Sequence, residues 1–179
     1  MPKKEKIEMQ SFEVVLPKLV KLPLFSAFNA ENEDDQRMLK MVYDNLSIVP
    51  FKAGEQIITE GEMGDELFIL YEGEVLVTRK TPVGDVIALA TLNSNMNIFF
   101  GEMAIISKDT RSATITANTD CLCLSIAGDK FMGVCDKEPV LGYRVLSVLA
   151  KRLTNNVREA NKDKAILYEA LCNEIETGV

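Results

Sequence analysis

Between two apolar stretches the chain carries Phe99-Phe100-Gly101-Glu102-Met103-Ala104-Ile105-Ile106-Ser107-Lys108-Asp109-Thr110-Arg111-Ser112-Ala113-Thr114. A glycine that opens a short helix exposes backbone N–H groups whose aligned dipoles attract an anion. An arginine ten residues later can return to the same point from the next strand. Gly101 and Arg111 therefore outline a seat for a phosphate. Arg111 is one of six cations facing twelve acids in residues 50–135, so a phosphate there would need its charge-assisted, bidentate-capable bonds in particular. Ser112 adds a hydroxyl donor, and Glu102 can accept bonds from a sugar hydroxyl. Two plainer readings stand beside these. Glu102 can simply complement the helix dipole, and Arg111 can form a salt bridge to Glu102 or Asp109.

Composition removes most competing chemistry. The chain has 179 residues, 47% of them hydrophobic and 26% charged, and no histidine. That excludes Ser-His-Asp and Cys-His nucleophile systems, His-ligated zinc and iron, and haem with a proximal histidine. A carboxylate-pair or lysine-based enzyme survives this test, but no motif brings such groups together, so a non-enzymatic protein without a metal site is expected. The four cysteines, Cys121, Cys123, Cys135 and Cys172, form no CxxC pair and read as reduced core residues rather than a metal or disulfide set. Net charge is −7, made up of −1 over residues 1–49, −6 over 50–135 and zero over 136–179. An acidic middle without a Lys/Arg stripe argues against a nucleic-acid surface. There is no signal-peptide pattern and no run of about 20 apolar residues, so a cytoplasmic chain with no membrane insertion is expected.

The elements that must hold this stretch fall into three parts, an N-terminal helical lead-in (1–46), a β-rich middle (47–135) containing the stretch at 99–114, and a C-terminal helix (136–179). Val14, Val15, Leu19 and Leu22, then Met38, Leu39, Val42, Tyr43 and Leu46, recur at helical spacing on either side of Pro23 and of the acidic Asn32-Glu33-Asp34-Asp35. From Ser47 the period changes to two. Short runs at Ser47–Lys52, Gln56–Glu60, Glu66–Tyr71, Glu74–Lys80, Asp85–Leu92, Ser112–Asn118 and Cys121–Ile126 are separated by Gly54, Gly61, Gly64, Gly73 and Gly84. Seven or eight such strands predict a mainly β domain with flanking helices, an antiparallel sandwich or barrel. From Glu138 to about Glu176 one long helix is expected. Leu149, Leu153, Val157, Ala160, Leu167 and Leu171 form a seam interrupted by Lys164. Its first half can pack on the barrel, whereas its second half reaches too far for that, which leaves pairing with another copy as an open reading.

These residues carry a resemblance. Pro50-Phe51-Lys52-Ala53-Gly54-Glu55 through Gly61-Glu62-Met63-Gly64-Asp65-Glu66-Leu67-Phe68-Ile69-Leu70, followed by Gly73-Glu74-Val75, resembles the opening barrel of the cyclic nucleotide-binding domain family. Phe100-Gly101-Glu102-Met103-Ala104 through Arg111-Ser112-Ala113 resembles its phosphate-binding cassette, and Leu22-Pro23-Leu24-Phe25 its lead-in helix; the likeness covers about residues 20–160. The resemblance implies a β-roll (jelly-roll) with a short cassette helix, and a cyclic nucleotide as ligand. It implies that Arg111 neutralises the cyclic phosphate and Glu102 binds the ribose 2′-hydroxyl. Amides near Gly101, Met103 and Ala104 would complete the cradle, Ser112 would touch the phosphate or a guanine amino group, and Ala113 would close the motif. A C-terminal helix would lid the base, with Asn156 and Val157 near it.

The sequence also departs from the family pattern. Leu92-Asn93-Ser94-Asn95-Met96-Asn97-Ile98 lacks the glycine usual before the cassette and is about two residues longer; asparagine tolerates positive φ, so Asn95 or Asn97 is expected to stand in. Thr110 replaces the usual proline. Because the chain ends at Val179 without a helix-turn-helix module, it reads as a stand-alone sensor of cAMP or cGMP, with Ser112 leaning towards cAMP. A homodimer through the C-terminal helix and an unidentified downstream protein are the expected partners. A dimerising scaffold of the same fold that no longer responds to ligand is the alternative, and a cupin-like enzyme is disfavoured by the missing histidines.

Overall fold

Glycines in the left-handed region at Gly54, Gly61, Gly73 and Gly84 cut the middle of the chain into short strands, because each turn needs a positive φ that residues with a Cβ rarely adopt. In a computed structural model, which describes residues 10–103 and 110–177, these strands are β1 (Ser47–Phe51), β2 (Gln56–Ile58), β3 (Glu66–Glu72), β4 (Glu74–Lys80), β5 (Val86–Asn93), β6 (Phe99–Phe100), β7 (Thr114–Ala117) and β8 (Cys121–Ala127). They pair antiparallel in two four-stranded sheets, ordered β1-β8-β3-β6 and β2-β7-β4-β5. This is the expected β-roll with flanking helices. The short cassette helix expected after Glu102 falls on residues 104–109, outside the described residues.

Alternation along the first sheet explains why its strands read as nearly continuous apolar runs, since side chains two apart share a face and both faces here are covered. Phe68, Leu70, Phe100, Cys121 and Cys123 point into the roll, where they meet Ile58, Val75, Ile115 and Ala117 of the second sheet. Leu67, Ile69, Phe99, Leu124 and Ile126 point the other way, into a larger cluster built with the helices.

The helical layer comprises α1 (Phe12–Leu19), a 3₁₀ turn at Pro23–Phe25, α2 (Glu33–Tyr43), α3 (Gly128–Lys137) and α4 (Pro139–Thr177). Asn32 caps α2 by accepting from Asp35 N at 2.9 Å, as its Asn-then-acidic start suggests. Val14 faces solvent rather than the core, whereas Val15, Leu19 and Leu22 are buried. Helix α3 was not anticipated, and the boundary drawn at residue 135 falls inside it. It packs Phe131, Val134 and Cys135 under the first turns of α4, whose Leu141, Val145 and Leu149 are fully buried. Two polar ties hold α2 to α4 and to Glu138, the residue that joins α3 to α4. Arg144 Nη1 donates to Asp35 Oδ1 at 2.7 Å, and Arg37 bonds Glu138. Helix α4 has 39 residues, about 58 Å at 1.5 Å per residue, so its outer half runs clear of the roll. Among the described residues no helix is long and apolar enough to cross a membrane.

The thiols divide by position. Cys121, Cys123 and Cys135 are buried and reduced, as expected, but Cys172 is exposed on the outer half of α4 and is not a core residue. Burial pushes the Cys123 thiol up to about 12 and the Cys135 thiol up to about 11, which removes their thiolate at neutral pH. A thiol-reactive chromogenic disulfide at pH 7.5 is therefore expected to titrate one cysteine promptly in the folded chain and all four after unfolding. Prompt reaction of two or more would contradict the packing of β8 and α3.

Candidate functional site

The segment that carries Arg111 is held by the loop after β2 before its side chain makes any contact. Arg111 N donates to Glu62 O and Gly61 N donates to Arg111 O, both at 2.9 Å, and Glu60 N donates to Thr114 Oγ1 at 3.0 Å. Met63 and Thr110 form an isolated bridge beside them. The guanidinium then reaches inward. Nη2 donates to Glu66 O at 2.8 Å and Nη1 to Gly101 O at 3.4 Å, so the glycine and arginine ten residues apart do converge. Two of its five N–H donors are used on backbone carbonyls.

Gly101 sits at φ 78°, and its missing side chain is what lets the arginine in. A Cβ there would lie 2.7 Å from Arg111 Nη1 and 2.7 Å from Glu66 O. On the guanidinium's other side, a Cβ on Gly64 would come within 2.2 Å of Nε. Half-burial pulls the Arg111 pKa down from the usual arginine value, and the charges of Glu66, Asp65 and Glu102 act in the opposite sense. A partly desolvated cation with spare donors favours an anionic ligand, since the arriving charge offsets the cost of its burial.

Gly101, Glu102, Met103, Thr110, Arg111, Ser112 and Ala113 line one cavity of about 70 Å³, with Ile58 and Ile115 as its apolar wall. That space suits a phosphate group and its immediate attachments; whole-ligand pockets run to about 300 Å³ and more. Ala104 lies outside the described residues. Ser112 is exposed at the rim. Asn156, expected near the ligand's base, is exposed on α4 and does not line the cavity.

Helix α4 does reach the site, one turn earlier than expected and through a residue the sequence reading missed. Arg152 Nε lies 3.6 Å from Glu102 Oε1, and its guanidinium stacks over the Phe99 ring at 4.5 Å from the centroid. The Glu102 partner is therefore Arg152, not Arg111, and Glu102 is oriented by a residue of the long helix. The signal was available in outline, because Arg152 stands four residues before Asn156 on the same helix face. The fold also answers the departure in the preceding loop, where Asn97 takes φ 50° in the place a glycine usually fills.

The sequence profile described as "Cyclic nucleotide-binding domain" matches residues 48–138, half of the chain. The chain belongs to the cyclic nucleotide-binding domain family. It is 33% identical over 114 residues to a CRP-like cAMP-activated global transcriptional regulator of Mycobacterium tuberculosis, a match covering 62% of this chain and 50% of that protein. It is 39% identical over 103 residues to the human cGMP-dependent protein kinase 2, covering 56% of this chain and 13% of the kinase. The chain thus spans half or less of the length of these relatives. Among solved structures it resembles the N-terminal domain of a transcriptional regulator from Streptomyces coelicolor A3(2), with a TM-score of 0.67, 25% identity, and coverage of 80% of this chain and 94% of that one. The family is regulatory rather than catalytic.

Proposed function

We propose that the chain is a cytoplasmic, non-enzymatic sensor whose 3′,5′-cyclic mononucleotide sits with its phosphate on Arg111 and the amides around Gly101, its ribose on Glu102, and its base under α4. The observation that carries this is the convergence of Arg111 on Gly101 O, with Glu102 lining the same cavity. Met103, Ala104, Ser112 and Ala113 complete the seat, and Asn156 meets the base once the helix has moved. Domain roles follow the expected division except at the boundary inside α3, with a lead-in over 1–46, a ligand-binding roll over 47–127, and α3 leading into α4 as lid and dimerisation helix. Ser112 favours cAMP over cGMP; relatives named for each nucleotide occur.

Signalling runs through the contact of Glu102 with Arg152. A ribose hydroxyl that engages Glu102 alters the carboxylate Arg152 holds, and thereby the preferred position of α4. Ligand shifts that equilibrium only by its differential affinity for the two positions, and moving it from 1:99 to 99:1 would take about 5.5 kcal/mol. Exposed Val157, Leu167 and Leu171 on the outer half of α4 supply a seam for a second copy.

The test is calorimetric titration of the full chain with cAMP and, in parallel, cGMP, alongside Glu102→Ala and a sedimentation run on the same sample. Saturable micromolar binding, weakened about tenfold in the variant by loss of one charged acceptor, is expected. So is a dimer at tens of micromolar. No heat with either nucleotide, from a folded sample free of carried-over ligand, would move the weight to the ligand-independent scaffold. A monomer would remove the role of the α4 seam.

A further inference from the structure

We propose that Lys18 is a positioning residue for the phosphate seat, pinning from the N-terminal helix the loop that delivers Gly101; this rests on the reading of that seat given above. Lys18 stands in the last turn of α1, and its half-buried Nζ donates to Tyr71 O at 2.6 Å and to Ser94 O at 3.2 Å, while lying 5.0 Å from the centre of the Tyr71 ring. It has no ion pair among the described residues. Burial lowers its pKa from the usual lysine value, with Glu72 acting against that shift and Lys21 with it. A cation withdrawn from water is retained where its acceptors are fixed, and these two acceptors are 53 and 76 residues away in sequence.

Ser94 O is also the carbonyl that closes a second 3₁₀ turn, Ser94–Met96, since Asn97 N donates to it at 3.3 Å. Asn93 Oδ1 closes the same turn by accepting from Asn95 N at 3.1 Å. From Asn97 in its left-handed conformation the chain passes Ile98, whose carbonyl accepts from Leu70 N at 3.2 Å, then Phe99 and Phe100 paired with β3, and arrives at Gly101, whose carbonyl takes Arg111. The loop has no glycine of its own to set its path. Lys18 holds the Ser94 carbonyl at the start of this turn, so the contact runs from α1 through the turn and along the backbone from Asn97 to the carbonyl that takes the arginine.

Lys18→Met keeps the aliphatic stem and removes the donors. In the full chain, cAMP affinity by calorimetry is expected to fall about tenfold, the scale of one charge-assisted hydrogen bond. Amide hydrogen exchange over residues 93–101 should accelerate while that of β8 is unchanged. Lys18→Arg, which retains charged donors, should recover most of the affinity, and Lys21→Met, an exposed neighbour, should alter neither readout. Wild-type affinity in Lys18→Met, or faster exchange confined to α1 and α2 with residues 93–101 unaffected, overturns the role; so does failure of Lys18→Arg to recover binding. A wild-type chain that binds neither cAMP nor cGMP overturns the seat and this role together, and the wild-type titration tells that failure from failure of the pin alone.

Discussion

Arg111→Ala is expected to weaken cyclic nucleotide binding by about 100-fold or more while leaving the fold intact. The loss combines the charge-assisted bonds to the phosphate, each about 1.5–3 kcal/mol, with the loss of the positive charge that offsets the surrounding carboxylates. That surround is already acidic, for Asp65, Glu66 and Glu102 all act on the guanidinium, so without Arg111 a phosphate would meet these carboxylates with only Glu102 ion-paired, to Arg152, among the described residues. Stability should change little in the absence of ligand. The variant leaves Glu66 O and Gly101 O without a donor but also removes a half-buried cation. The backbone bonds of residue 111 to Gly61 and Glu62 do not depend on its side chain. Calorimetric titration paired with a melting curve checks both halves. Undiminished affinity would show that the phosphate sits elsewhere, and a large loss of stability would show that Arg111 acts chiefly as a structural cross-link.

The roll was legible in the sequence because its punctuation is chemical. Gly54, Gly61, Gly73 and Gly84 all take positive φ at turns, and the strands between them alternate or run fully apolar according to whether one or both faces are covered. The cassette was legible because Gly101, Glu102 and Arg111 are special residue types at a fixed spacing. What escaped lacked a local signature. Strand β6 is two residues long and emerges from an asparagine-rich run. Helix α3 starts after Ala127, which offers no capping side chain, and carries a mid-helix Gly133. Cys172 was assigned to the core by residue type, but it lies with Leu167, Leu171 and Ile175 on the exposed outer half of α4. Arg152 escaped because its partner is 50 residues away, a contact that exists only once α4 has been laid across Phe99 by the burial of Leu141, Val145 and Leu149. Local chemistry marked the seat, and long-range packing chose which residue of the helix would touch it.

Gly101→Ala is the substitution expected to damage fold and function together, and for separable reasons. At φ 78° a residue with a Cβ is strained by about 1–2 kcal/mol. The added methyl also meets Glu66 O at 2.7 Å, a backbone atom of β3 that cannot turn aside, and overpacking of this kind costs about 1–3 kcal/mol. For a chain of this length, 1 kcal/mol corresponds to about 2–4 °C, so the melting temperature should fall by roughly 4–20 °C. The same methyl meets Arg111 Nη1 at 2.7 Å, so the guanidinium must leave the carbonyl that aims it. Affinity should therefore drop at least as far as in Arg111→Ala. General destabilisation does not predict that loss, which is why Leu39→Ala belongs beside it. Leu39 is fully buried in α2, and its truncation costs about 2–5 kcal/mol by opening a cavity in the helical layer. If both variants melt early at comparable temperatures and only Gly101→Ala loses the nucleotide, the seat depends on the absent side chain itself. Equal losses in the two would mean that binding follows stability, and the close approach of Arg111 to Gly101 would then have no specific part in recognition.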